Sequence, residues 1–507
     1  MFFCVNLQTE MKIELSGSYG YRRMIRSSVP SILMMLATSV YSIVDGLFVS
    51  NFTGTTPFAA LNLIWPAIMI TGAIGLMFGT GGSAYVAMIL GQGDRERACR
   101  AFSMVVKTLF AVGVAATVLF YIFIRPVCSL LGADGQMLEY SVHYGRIVLL
   151  VMPLYMIQMA FHSLYMTAEI PQMGTRLSII SGVTNIVLDA LLIVVLDWGL
   201  TGAAIATAAG MAVGGIYPLY YFSSRRNNTH LRFVRTRTNG RSILQVCTNG
   251  LSEYVGNISL SVVSMCYNLQ LMRLIGEEGV AVYGILMYIG FVYASVFIGF
   301  NLAIAPVISY NYGAQNHEEL KRLLRKSLIL LFVAGSILTL LSEVLSGPMA
   351  GIFVGYDFEL KALTAHAIRL YMLSFMICGI NMFVSAYFTA LNNGLVSALA
   401  AFARTLVFEL GAVFVLPLFM GLDGVWLAVD LADVLALIMS AILLTAAKGS
   451  FKNASLFQKE DGGSEQRRAQ TAVERCSECY RHANYLESHS QAHHENHNHP
   501  AAHRKCL

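Results

Sequence analysis

Polar and apolar residues do not alternate along this chain; they fall in blocks. Twelve apolar runs cover 29–50, 57–79, 101–123, 141–163, 175–196, 201–222, 247–271, 280–306, 326–347, 366–389, 396–417 and 423–446, with short polar turns between them. Each is close to the roughly 20 residues that a helix needs to cross a bilayer. Strands of a membrane barrel would alternate every second residue, and these runs do not. Backbone polar groups in lipid must be satisfied within the segment, so each run is predicted to be a helix. Pro66, Pro153, Pro218 and Pro306 fall inside or near the ends of runs, where neighbouring helices tolerate kinks. The fold class that follows is an all-α integral membrane protein of about twelve transmembrane helices.

The pattern also repeats. The turn Leu90–Ala98 (LGQGDRERA) aligns with Tyr312–Leu320 (YGAQNHEEL), placing Gly91 on Gly313, a shift of 313 − 91 = 222. The same shift places Pro126 on Pro348, Tyr165 on Tyr387 and Gly199–Gly202 on Gly421–Gly424. The chain therefore divides into an N-terminal segment 1–28, a first lobe 29–222, a basic connector 223–246, a second lobe 247–446 and a polar tail 447–507. Each lobe has six runs, an even number, so the two copies share one topology about an axis along the membrane normal. That is a transporter design, with substrate between the halves and one half rocking against the other.

Composition agrees with membrane residence. Residues are 56% hydrophobic and 12% charged, against roughly 25% charged in soluble domains. The net charge of +5 is small, and the basic residues sit in loops, which argues for topology and against nucleic-acid binding. One set of loops holds Arg22, Arg23, Arg26, Arg95, Arg97, Arg100, the arginines of 223–241, and Lys321 to Lys326; the opposite set is poor in them. The first set is predicted to be cytoplasmic, with both termini inside a multi-pass cell (inner) membrane protein. The nine Cys are scattered and imply no disulfide framework. The first run is too long for a signal peptide and is read as a retained span.

Chemistry enters where charge interrupts the apolar runs. Asp45, in Tyr41–Asn51 (YSIVDGLFVSN), is the one charged residue of the first run. A bare carboxylate in hydrocarbon is costly unless it holds a cation or proton, so an intramembrane acid reads as functional. Asn185 and Asp189, four apart, share a face of the fifth helix, and Thr207 lies in the sixth. Counted from the outer ends of their runs, Asp45, Asp189 and Thr207 lie about 5 to 7 residues deep, or roughly 8–10 Å. Two carboxylates, an amide and a hydroxyl at one level make a hard-oxygen set suited to H⁺ or Na⁺. The blander alternative is that Asn185 and Thr207 only stitch helices together.

The second lobe is not an equal copy. The shift sends Asp45 to Tyr267, Asp189 to Gly411 and Thr207 to Val429, with Glu409 and Asp430 close by. Glu253, Tyr267, Glu409 and Asp430 are candidate substrate or ion contacts there, with Asp433 nearby and Arg404 positioned to neutralise the cluster. Aromatic and Met residues of the seventh and eighth runs suit lipophilic cations. In the tail, Cys476, Cys479, His493 and His497 suit a soft divalent metal by type. Ligand-rich tracts without a fold are commonplace, however, and a disordered tail with no metal is the expectation.

These strings resemble the multidrug and toxic compound extrusion (MATE) family, in particular its bacterial MepA-like and DinF-like branches, over about residues 25–446. The likeness rests on YSIVDGLFVSN, FAALNLIWP at 58–66, GTGGSAYVAMILGQGD at 79–94, TNIVLDALLI at 184–193 and GLTGAAIAT at 199–207. It continues in YNLQLMRLIGEEGVAVYGI at 267–285, APVISYNYGAQN at 305–316 and GLDGVW at 421–426. The resemblance implies twelve helices in two six-helix repeats forming a V around a cavity. It also implies export of organic cations or other lipophilic drugs against H⁺ or Na⁺ entry, with no cofactor. Its first-lobe ion site matches Asp45, Asn185, Asp189 and Thr207. Some members use a seventh-span Glu, which Glu253 matches, and a tenth-span Asp. Residues 366–389 hold no acid, so that second site is incomplete. A monomer in contact with lipid is expected.

Two other readings find less support in the residues. A flippase for lipid-linked saccharides would want several basic residues in its cavity, and the runs offer little besides Arg404. A membrane-embedded enzyme lacks support, since HExxH, GxSxG and a phosphate-cradling GxxxxGK[ST] are all missing.

Overall fold

The computed structural model describes residues 14–355 and 357–446, and among them every regular element is helical. The first repeat comprises α1 (Tyr21–Phe52), α2 (Thr55–Gly91), α3 (Arg95–Leu130), α4, α5 and α6 (Gly199–Ser223). Helix α4 is two segments, Gly135–Leu150 and Met152–Thr167, bent by 62° beside Pro153. Helix α5 runs from Pro171 to Asp189 and continues as a π segment, Ala190–Val195. The second repeat comprises α7 (Gly240–Leu274), α8 (Glu277–Gly313), α9 (His317–Val354), α10, α11 and α12 (Ala428–Ala446). Helix α10 joins Phe358–Tyr371 to Phe375–Ala390 through one 3₁₀ turn. Helix α11 spans Gly394–Met420 and contains a π segment, Ala403–Glu409. Residues 14–440 form one compact unit, and residues 441–446 are helical.

Ten of these helices are long and apolar enough to cross a membrane, and the bent pair of α4 makes an eleventh. Only α7 is too polar by that measure. Three of its polar residues bond to other segments: Asn249 Nδ2 donates to Asn392 Oδ1 in the turn between α10 and α11 (2.6 Å), Ser252 meets Thr389 of α10 (3.2 Å), and Gln270 Nε2 donates to the Val413 carbonyl of α11 (3.3 Å). Such bonds join helices in an apolar medium.

The helices outrun their apolar runs. Helix α2 of 37 residues is about 55 Å long at 1.5 Å per residue, well beyond a hydrocarbon core of about 30 Å. The extra turns are capped by polar side chains that satisfy orphan backbone N–H groups. Asp94 accepts from the Arg97 amide (2.8 Å), and Asn316, at the repeat-related position, accepts from the Glu319 amide (3.2 Å).

Backbone geometry carries the repeat more fully than side chains do. Left-handed residues recur at the same shift: Gly54 and Gly276, Gly93 and Gln315, Gly199 and Gly421. Between repeats, α1 packs on α8, α2 packs on α7, and α2 and α8 pack on each other. The first two contacts exchange under a pseudo-two-fold. On that axis, a Cβ at Gly91 would overlap the Tyr310 carbonyl, and a Cβ at Gly313 would overlap the Met88 carbonyl. The two helices cross backbone to backbone because both residues are glycine.

Each repeat is filled by large apolar side chains. In the first, Phe102, Phe161 and Phe222 from α3, α4 and α6 pack with ring centroids 5.0–6.0 Å apart, and Phe233 of the connector stacks on Phe102 at 5.1 Å. Ahead of α1 a short strap ties the repeats together. The Leu15 amide donates to Glu169 Oε1 after α4 (2.8 Å), and the Tyr19 amide donates to Glu319 Oε1 on α9 (2.7 Å).

Candidate functional site

Three helices converge on Asp45. Helix α5 is fastened to α1 by Thr175 Oγ1 donating to the Pro30 carbonyl (2.7 Å), and to α6 by Ser181 Oγ donating to the Gly210 carbonyl (2.7 Å). Ser181, Asn185 and Asp189 recur every four residues, so one face of α5 presents all three. Asp45 Oδ1 accepts from Asn185 Nδ2 and from Thr207 Oγ1, each at 3.3 Å. The Asp189 carboxyl lies against that of Asp45 and is fully buried. The four residues expected from the sequence are thus neighbours in space.

A fifth residue joins them. Tyr144, from the first segment of α4, is buried beside Thr207 and faces both carboxyls. The fourth run contains one other tyrosine, Tyr155, and nothing in its pattern singles Tyr144 out. Asp189 is also the last residue before α5 widens into π geometry, a distortion frequent at functional sites.

The property of this cluster that bears on chemistry is its unsatisfied oxygen. Asn185 Oδ1, both Asp189 oxygens and the Tyr144 hydroxyl are buried with no hydrogen-bond partner among the described residues. Buried polar atoms are otherwise almost always paired. Two adjacent carboxyls repel each other in low dielectric, so a proton or hard cation between them relieves both the repulsion and the missing bonds.

The second repeat has a different set. Tyr267, at the Asp45 position of the repeat, stacks on Tyr283 (4.8 Å) and meets Tyr371 edge-on (6.3 Å). Glu409 and Asp430 face this ring. Arg404 is not a free cation: Nε and Nη2 both bond to the Asp433 carboxylate (2.6 and 3.4 Å), and Asn381 Nδ2 also donates to it (3.1 Å). Glu253 stands apart, half-buried about four turns before Tyr267 on α7. Among the described residues, no group of three or more His, Cys, Asp or Glu is arranged to hold a metal ion. Cys476, Cys479, His493 and His497 lie outside the described residues. A cavity of about 430 Å³ between α3, α6 and the connector touches none of these side chains.

Comparison with known proteins gives a consistent picture. The MatE family model matches residues 30–191 and again 254–415. The chain is similar to the multidrug export protein MepA of Staphylococcus haemolyticus, with 22% identity over 90% of this chain and 100% of that protein. It is similar to MepA of Staphylococcus aureus (strain MSSA476), with 20% identity over 84% of this chain and 93% of the relative. Among solved structures, an outward-facing multidrug resistance MATE family transporter of the MOP superfamily superposes with a TM-score of 0.81 at 23% identity, covering 87% of this chain and 100% of that one. A MOP superfamily transporter from Pyrococcus furiosus, described as having a binding pocket of reversed polarity, gives 0.79 at 23% identity, over 86% of this chain and 98% of that one.

Proposed function

We propose that this chain, which belongs to the MatE family, is a secondary antiporter that exports organic cations or other lipophilic drugs. The MepA relatives are multidrug export proteins, and the drug class is carried over from them. The observation that carries the coupling is the half-buried Asp45 lying against the fully buried Asp189, whose two oxygens have no hydrogen-bond partner among the described residues. Loading the pair with H⁺ or Na⁺ changes the charge inside the first repeat, and release on the other side of the membrane resets it. Asp45 and Asp189 hold the ion, Asn185 and Thr207 orient Asp45, and the apolar surroundings keep the charge from being screened. The basic loops then face the cytoplasm.

No ATP-cradling loop is present in the sequence, so the ion gradient is the energy source in this reading. The flippase alternative loses its main support, because Arg404 is committed to Asp433.

Proteoliposomes loaded with ethidium, under separately imposed pH and Na⁺ gradients, test the proposal. Wild-type protein is expected to move dye under one of the two gradients, and Asp45→Asn or Asp189→Asn to cut that flux at least tenfold. Gradient-driven flux that survives both substitutions overturns the coupling.

A further inference from the structure

We propose that the cavity between α3, α6 and the connector binds the headgroup of an anionic phospholipid, taken from the leaflet that borders the basic loops. The site is separate from the Asp45 cluster, and its occupancy does not depend on what the chain transports.

The walls are held by the protein itself. Residues 231–239 of the connector form no regular element, yet the stretch from His230 to Val234 is tied to one face of α3. Arg95 Nε donates to the His230 carbonyl (3.2 Å), and the Val234 amide donates to Ser103 Oγ (2.9 Å). Asn227 closes the turn before them: its Nδ2 donates to the Leu231 carbonyl (2.7 Å), and its Oδ1 accepts from the Thr229 amide (2.9 Å). Phe233 is fixed by its stacking on Phe102. Beside these ties lies the cavity of about 430 Å³, within the roughly 300–1,000 Å³ typical of small-ligand pockets.

Charge says what kind of ligand fits. Lys107 of α3, four residues on from Ser103, and Arg235 of the connector both line the cavity, and both are exposed. Neither has a hydrogen bond or ion pair among the described residues. The sequence around them supplies no acid: residues 97–130 of α3, the whole of α6 and the connector 223–246 contain no Asp or Glu. Glu169 meets the connector only at His230 (3.3 Å) and already accepts from the Leu15 amide. Lys107 also lies inside the apolar run 101–123. A cation there is costly unless its ammonium reaches the interface or meets an anion.

The apolar part of the site says that the anion carries hydrocarbon. Val106, Phe110, Leu219 and Phe233 complete the wall. From the cavity an apolar row continues along α3: Phe110, Val114, Val118 and Ile122, each four residues on, are 42–65% exposed. Ile216 and Tyr220 of α6 are exposed as well. A cationic cup at the head of an apolar row matches a phospholipid whose phosphate lies between Lys107 and Arg235 and whose acyl chains follow the row. Basic pockets between membrane helices take headgroups in this way. An organic cation is repelled by both charges, and a free phosphate leaves the apolar wall without a partner. The connector is the covalent link between the two repeats, so an occupied site fastens it to α3 and α6.

The test uses the purified full chain, titrated in detergent with phosphatidylglycerol or with phosphatidylcholine of the same acyl chains, and read by native mass spectrometry. Tryptic cutting after Arg237 is followed in parallel. The protein is expected to retain one phosphatidylglycerol in preference to phosphatidylcholine, and the anionic lipid to slow the cut. Lys107→Gln with Arg235→Gln is expected to weaken retention by roughly tenfold. Arg225→Gln with Arg226→Gln, two connector cations outside the cavity, is expected to leave it near wild type. Equal retention of the two lipids overturns the site, as do equal losses from the two pairs of substitutions, which would assign the effect to diffuse basic charge. Inorganic phosphate that displaces the lipid and protects Arg237 as well as the lipid does, at equal concentration, overturns the lipid assignment in favour of a free anion. Leu219→Trp fills the cavity and keeps both cations, and it is expected to weaken retention similarly. Should the charge variant fail to fold, this variant decides alone, and unchanged retention overturns the site.

Discussion

Tyr144 shows how much a single atom can matter at this site. Its hydroxyl is one of four buried oxygens near Asp45 without a partner. Tyr144→Phe keeps the ring in its packing and removes only that oxygen. A hydrogen bond to an ion or charged group contributes about 1.5–3 kcal/mol, so cation affinity, read from the half-saturating gradient for dye efflux, is expected to fall at least tenfold with melting temperature nearly unchanged. Arg404 is the opposite case, a residue whose role is structural. Its guanidinium bonds Asp433 through two nitrogens, and a Lys cannot reproduce that fork. Removing one partner strands the other charge, and breaking a buried pair costs about 3–5 kcal/mol. Arg404→Ala is expected to lower thermal stability markedly, and Arg404→Ala with Asp433→Leu to recover most of it, as thermal melts in detergent would register.

At the scale of elements, the crossing of α2 and α8 is the most constrained contact. Gly91 and Gly313 each accept the carbonyl of the opposite helix where a Cβ would stand. The obstacle is backbone, which cannot rotate aside as a side chain can. Overpacking costs about 1–3 kcal/mol, occasionally more, so Gly91→Ala and Gly313→Ala are each expected to lower the melting temperature. Because the two contacts are reciprocal, the effects are expected to be of similar size; a large effect from one and none from the other would show that the crossing is not symmetric. The π segments belong to the same scale. They end or begin at the acids of α5 and α11, and no propensity or periodicity in the sequence marks them, because a π turn is imposed by neighbouring helices.

At the scale of the whole molecule, the strap 14–20 links the two repeats through Glu169 and Glu319. Tyr19 is buried in it, with the Arg23 guanidinium 4.3 Å from its ring. Burial pushes its hydroxyl from 10.0 up to about 12. The folded state therefore holds the proton more tightly than the unfolded chain, and this contribution is fully present below pH 10 and lost as pH rises towards 12. Proteolytic cutting at the strap is expected to accelerate over that window in the wild type, and the Tyr19→Phe variant to lose the pH dependence. Equal acceleration in both would assign the effect to other groups.

Much of the fold and part of the site were legible before any coordinates. Block hydropathy specified the helices because lipid offers the backbone no other partner, and the shift of 222 exposed the repeat because loop glycines and prolines are set by backbone geometry. Asp45, Asn185, Asp189 and Thr207 stood out because charge and amide groups in an apolar run are costly. Tyr144 did not, nor did the isolation of Glu253, the pairing of Arg404 with Asp433, or the burial of Tyr267 against two acids. Those depend on which helix faces meet, and that is decided by packing between segments far apart in the chain, where a bend in α4 or a π turn in α11 redirects side chains that sequence spacing alone would aim elsewhere.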